Sequence, residues 1–195
     1  MTTESNAISF NSVFLSKNPP ADEKITRLAD WGKKLHTMGM VQATEGNMSF
    51  KTRLGFIITG TDIALEALSP ETVAEVTGVV YGLNKNSVYV KGAVTPSREA
   101  ILHAQIYELR DDINAIFHTH DTVVMAQATR LNIPVTETEQ APGSPELAQE
   151  AVKLLKFNKG IKFFVLKNHG IISLGATMDE AGKMMDEMGE KARKK

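Results

Sequence analysis

The segment I-N-A-I-F-H-T-H, residues 113–120, closes an apolar run with two histidines one residue apart. Strand residues two apart point to one face, about 7 Å from Cα to Cα at roughly 3.3 Å per residue, so His118 and His120 can converge on one ion. A second apolar run, residues 163–166, leads to His169 with Gly170 directly after it. Three of only five histidines thus sit at strand ends followed by turn residues, where sites are usually built. A lone histidine is more often a satisfied side chain, and His36 and His103 are read as structural.

Around this segment the chain reads as alternating helices and hairpins. Residues 18–20 form a breaker, after which Ile25, Leu28, Ala29, Gly32 and Leu35 recur at helical spacing up to Gly39. Residues 48–51 and 56–59 read as a hairpin, with Gly46 and Asn47 just before it, and further strands are expected over 73–81 and 87–91. Thr95 has the character of an N-cap with Pro96 at the first helical position, and Leu102, Ile106 and Leu109 form the buried stripe behind them.

A short helix to about Arg130, a loop over 132–144 and a helix over 145–157 follow. Strands over 163–166 and 171–174 flank His169, and a last helix carries Ala181, Met184, Met185 and Met188 on one face, as core or subunit-contact residues. The pattern predicts an α/β domain with a mixed sheet covered by helices. No Gly-rich fingerprint opens a helix, which disfavours a doubly wound dinucleotide fold.

The 195 residues, 42% of them hydrophobic, suit a single domain, 1–195, whose first 20 residues form an extended N-terminal arm. The absence of cysteine removes thiolate nucleophiles, disulfides and Cys-rich zinc sites, leaving histidine and carboxylate as ligand types. A net charge of −1 from interspersed acids and bases leaves no footprint for nucleic acid or an anionic membrane. With no signal peptide or 20-residue apolar span, a soluble, cytoplasmic protein is expected.

Three neutral imidazoles leave a fourth position open, as in catalytic zinc sites. Glu99 is the candidate for that position, because a first-turn carboxylate is favoured by unpaired helix N–H groups and can alternate between ligand and general base.

The segments T-E-G-N-M-S (44–49), I-I-T-G-T (57–61), P-S-R-E-A-I-L-H-A-Q-I-Y (96–107), I-N-A-I-F-H-T-H (113–120) and L-K-N-H-G-I-I-S-L-G (166–175) resemble the class II aldolase/adducin family. The likeness runs in order from about Ile25 to Met188. It implies a three-layer α/β/α domain with a mostly antiparallel sheet. It also implies zinc, or another divalent ion such as Mn, Co or Ni, on His118, His120 and His169, with Glu99 as fourth ligand and catalytic acid/base. The implied reaction is cleavage or formation of a C–C bond in a ketose or ketose phosphate through a metal-stabilised enediolate, in carbohydrate metabolism. The family also holds epimerases, dehydratases, decarboxylases and the non-catalytic adducin head, which lacks the metal histidines. Its aldolases are tetramers, so a homo-oligomer is expected.

In the sugar-phosphate members, phosphate is held at positions matching Gly46 and Asn47, by a Thr-Gly in the next hairpin and by two serines before the glutamate. Here Thr61 is kept but Asp62 replaces the glycine, and Ser97 is kept but Arg98 replaces the second serine. A carboxylate facing phosphate repels it, an arginine attracts it, and a pair of the two is neutral. The pocket is therefore read as serving an unphosphorylated or carboxylated substrate, or as gripping phosphate through Arg98 in an altered pose. The family's proton-donating tyrosines have no counterpart, since Tyr81, Tyr89 and Tyr107 all precede the relevant loop. Glu137, Glu139 or a metal-bound water are the substitutes considered.

Overall fold

The computed structural model describes residues 8–83 and 85–194. Eight strands, β1 (Phe10–Ser16), β2 (Asn47–Lys51), β3 (Phe56–Thr59), β4 (Val73–Val80), β5 (Asn86–Lys91), β6 (Ala115–Thr119), β7 (Phe163–Leu166) and β8 (Gly170–Gly175), form one sheet in the order β1-β5-β4-β3-β2-β6-β8-β7. All neighbours pair antiparallel except β1 with β5. The segment read as an N-terminal arm therefore supplies an edge strand hydrogen-bonded to β5; residues 1–7 of it lie outside the described residues.

Among the described residues five α-helices cover the sheet: α1 (Lys24–Thr37), α2 (Ala100–Leu109), α3 (Thr122–Ala126), α4 (Pro145–Phe157) and α5 (Met178–Arg193). Strands buried on both faces read as continuous apolar runs, and alternate residues then serve different layers. Ala115 and Phe117 of β6 face one core with Leu28, Leu35, Val124 and Met185 from α1, α3 and α5. Ile116 faces the other, with Ile101, Ile106, Ala151 and Leu155 from α2 and α4. The three-layer α/β/α arrangement follows from this alternation.

The helix expected to open at Thr95 and Pro96 instead begins at Ala100. Residues 95–97 are held extended: Thr61 N–H donates to Thr95 O, Ser97 N–H to Thr59 O, and Gly60 bridges Pro96. Tertiary pairing overrides the local capping signal, and Glu99 becomes the N-cap residue, with no side-chain cap bond of its own.

The methionine face of α5 turns inward, with Met185 fully buried and Met184 and Met188 packed against the same core. Trp31 of α1 lies across it, edge-on to Phe117 at 6.2 Å and donating through Nε1 to Asp179 Oδ1 at 2.8 Å. Gly182 permits that contact, because a Cβ there would stand 2.4 Å from the indole carbons. Replacement Gly182→Ala is expected to lower stability by about 1–3 kcal/mol through overpacking, measured as a lower urea midpoint. An unchanged midpoint would show that α1 and α5 are not wedged together as described.

Candidate metal centre

His118 lies in β6 between β2 and β8, opposite Asn47 on one side and Ile172 on the other. Ile116 and His118 share a face, and His120 continues that parity one residue past the strand end. His169 arrives from the tight turn between β7 and β8, closed by His169 N–H donating to Leu166 O at 3.0 Å. That turn places Asn168 at φ 56, a left-handed conformation that Asn tolerates better than most residues. Gly170 follows because a Cβ there would lie 2.5 Å from His118 Cε1 and 2.9 Å from His120 Cδ2. The histidine pair of one strand and the glycine of the next thus share one requirement.

The three imidazoles gather with ring centroids 4.8–5.0 Å apart, and one nitrogen from each lies within 4.8 Å of the others. His118 Nε2 and His120 Nε2 are 2.9 Å apart. Tetrahedral zinc with about 2.0–2.1 Å bonds places its nitrogen ligands about 3.3 Å from one another, so the donor set fits a divalent ion of this kind. His118 Nδ1 lies 3.0 Å from Ile171 O, an acceptor, which puts the proton on Nδ1 and leaves Nε2 as a lone pair for the cluster. Burial pushes His118 down to about 3, and burial with the neighbouring His169 also lowers His120, so both rings stay neutral as ligands must.

Glu99 is buried against this cluster. Its Oε1 accepts from His169 Nε2 at 2.6 Å; its Oε2 accepts from Asn47 Nδ2 at 2.8 Å and lies 3.2 Å from His118 Nε2. Burial alone would raise its pKa, but the hydrogen bonds it accepts from His169 and Asn47 hold it below the usual carboxylate range. The Asn47 amide oxygen is buried with no donor on it. One turn further along α2, His103 Nδ1 lies 2.7 Å from Ser49 Oγ, which also bonds Tyr107 Oη at 2.7 Å. Burial lowers His103 to about 4, so it too is neutral. His36, by contrast, is solvent-facing, 3.5 Å from Glu66.

A cleft of about 570 Å³ opens over the cluster, and Gly46, Asn47, Thr61, Asp62, Ser97 and Arg98 line it together with Glu99 and the three histidines. Arg98 Nη2 donates to Asp62 Oδ2 at 2.9 Å, so the two unusual residues pair with each other. Of the two loop carboxylates considered, Glu139 lines the cleft and accepts from Asn168 Nδ2 at 2.7 Å, while Glu137 pairs with Lys153 instead. None of the three tyrosines lines the cleft. Glu45 and Asn168 also line it and were missed in the sequence; the left-handed N-H-G turn was the available signal for Asn168.

Residues 26–194 match the family described as Class II Aldolase and Adducin N-terminal domain. The chain belongs to that family. It is 30% identical over 161 residues to an L-fuculose phosphate aldolase of Methanococcus maripaludis, covering 75% of this chain and 82% of the relative. It is 24% identical over 184 residues to a 3-oxo-tetronate 4-phosphate decarboxylase of Haemophilus influenzae, covering 83% and 81%. A solved L-fuculose 1-phosphate aldolase superposes with a TM-score of 0.72 at 27% identity, covering 90% of this chain and 85% of that one. Among the described residues no helix is long and apolar enough to cross a membrane.

If this class II aldolase homologue holds a metal on the three imidazoles, the purified protein should carry about one divalent ion per chain. His118→Ala should lose most of it by elemental analysis while keeping its melting transition. Because burial holds His118 and His120 below the ordinary imidazole range, protons compete weakly near neutrality. Metal should remain bound at about pH 6 and leave only on stronger acidification.

Proposed function

We propose that this protein is a metal-dependent aldolase that cleaves or forms a C–C bond in a ketose or ketose phosphate, with His118, His120 and His169 as metal ligands and Glu99 as fourth ligand and acid/base. The observation that carries this reading is a buried carboxylate in contact with two of three convergent imidazoles at the floor of an open cleft. When bound, zinc or a similar divalent ion supplies Lewis-acid stabilisation for negative charge on a substrate oxygen.

Glu99 serves as the base in the bond-forming direction, being ionised at rest. It takes the proton from the carbon beside the substrate carbonyl; the electron pair left there forms the new bond to an aldehyde carbon, and the aldehyde oxygen takes up a proton. Cleavage runs the same steps in reverse, with Glu99 returning its proton to carbon. Glu139 is assigned the second proton, as the carboxylate of the 132–144 loop that lines the cleft, held there by Asn168. Asn47 keeps Glu99 aimed while its proton comes and goes.

An enolate stabilised at such a site would also serve epimerisation by cleavage and re-addition, dehydration, or decarboxylation of a hydroxy acid, and the likeness to a named decarboxylase favours the last as the second reading. An adducin-like binding role leaves the histidine cluster and the buried Glu99 without a use. The family resemblance further supports a homo-oligomer with small-molecule substrates, and the interspersed charges argue against a nucleic-acid or anionic-membrane partner. Replacement Glu99→Gln preserves shape and Asn47 contact but removes the base. Turnover should fall by about 10²–10⁴ with metal content unchanged. Near-normal kcat with metal still bound would refute the acid/base role.

A further inference from the structure

We infer that Arg193, the last residue of α5, is a positioning residue for His120: it fixes Asp121, the next residue in the chain, and through it one of the three imidazoles of the metal centre. The inference rests on the proposed role of His120 as a metal ligand, and it adds to the centre a helix that supplies no ligand.

The three imidazoles are not held alike. His118 lies inside β6, and its Nδ1 is 3.0 Å from Ile171 O. His169 lies in a closed turn and has Glu99 on its Nε2. His120 stands one residue past the end of β6, and among the described residues its ring has no hydrogen bond outside the cluster. Beside it a cavity of about 470 Å³ opens between residues 39–42, the start of α3 and the end of α5, so packing does not fix the ring from that side. Metal-binding histidines are usually aimed by a hydrogen bond on their other ring nitrogen. His120 lacks one, and its aim is left to its backbone.

That backbone is fixed at Asp121, whose side chain is 2% exposed and partnered at both oxygens. Its Oδ1 caps α3, accepting from Val123 N–H at 3.0 Å and Val124 N–H at 3.2 Å, and its Oδ2 accepts from Arg193 Nη2 at 2.7 Å. Arg193 is itself anchored, since its Nη1 donates to Gly189 O at 3.0 Å, one turn earlier in α5. A buried carboxylate is costly without a counter-charge, and among the described residues Arg193 is the cation that supplies it. Removing Arg193 leaves that charge uncompensated. Relief comes from turning residue 121 toward the adjoining cavity, which carries His120 away from the other two rings.

A second arginine supplies the comparison. Arg130, shortly after α3, donates through Nη2 to Lys191 O at 3.0 Å and Ala192 O at 3.2 Å. It ties the same end of α5 to the same neighbourhood without touching Asp121. A clamp that served stability alone would respond alike to the loss of either arginine, whereas a positioning contact responds only to the one that reaches Asp121.

The test measures zinc affinity of the full chain by competition with a chromogenic chelator, in wild type, Arg193→Ala, Asp121→Asn, the double variant and Arg130→Ala. Asp121→Asn keeps an oxygen for the cap of α3, so it removes the pair while sparing the helix start. Loss of a group that orients a metal ligand weakens binding by about 10–100-fold, and that fall is expected in Arg193→Ala and in Asp121→Asn. The double variant should be no weaker than the single ones, because both remove one interaction. Arg130→Ala should bind zinc as wild type does. The visible absorption of the cobalt(II)-loaded protein, which follows ligand geometry, should change in Arg193→Ala and not in Arg130→Ala. Wild-type zinc affinity in Arg193→Ala, an equal loss in Arg130→Ala, or a cobalt spectrum unmoved by Arg193→Ala would overturn the inference. A wild type that binds zinc yet cleaves no C–C bond would sink the aldolase reading alone and leave these affinity ratios standing.

Discussion

A nearly buried carboxylate on the floor of the cleft, at the meeting point of four elements, is the constraint on which the site is organised. Burying such a charge costs several kcal/mol unless its oxygens are well partnered. Glu99, only 5% exposed, meets that demand with donors from Asn47 of β2 and His169 of the β7–β8 turn, and its Oε2 also lies 3.2 Å from His118 of β6. No two of these contacts come from one element. The carboxylate is therefore stable only when strand register, turn and helix start are all in place, and the same contacts set it beside the imidazoles. Folding and site assembly share one interaction.

Register is the means by which the sheet delivers this. A slip of one residue in β6 would turn His118 toward α5 and Phe117 toward the cleft, exchanging polar and apolar faces at once. The pairing of β6 with both β2 and β8 resists it, because Phe117 is locked among Trp31 and Met185 on one side while Ile116 belongs to the α2 and α4 core on the other. The polar seam under α2 follows the same logic. Glu99, His103 and Tyr107 recur every fourth residue along the helix, and each meets a side chain of β2 that shares the His118 face, Asn47 or Ser49. The seam is satisfied except at His103 Nε2 and Asn47 Oδ1, so the helix is fixed in rotation as well as position.

Much of this was legible in the sequence because it is written in local periodicity. The H-x-H ending an apolar run placed His118 and His120 on one face, and the paired short runs around His169 located the second hairpin. The start of α2 was not legible. Thr95 and Pro96 carry a real capping signal, but the backbone of residues 95–97 is claimed by Thr59, Gly60 and Thr61, far away in the chain. A local rule has no access to that competitor. The pairing of Asp62 with Arg98 lay similarly out of reach: charge alone permitted it, and only the folding of two separate loops onto one wall brings the groups to 2.9 Å. Asn168 was hidden for another reason, since its importance lies in a backbone angle.

Two of the arginine–aspartate pairs among the described residues show how the same chemistry divides between stability and recognition. Arg110, whose side chain is 3% exposed, gives Nε and Nη2 to Asp112 at 2.7 Å each and a further bond to Ile161 O, closing the end of α2 over the start of β6. Both prongs of its fork are used, and it is a structural fastener. Arg98 gives one prong to Asp62, whose side chain is 61% exposed, and its Nε carries no bond. An open pair of this kind contributes little to stability, about 0–1 kcal/mol, too little to explain a carboxylate held in a left-handed conformation. Its place on the wall of the cleft, beside Thr61 and Ser97, supplies the better reason: the two charges cancel each other and still leave polar atoms turned to whatever enters.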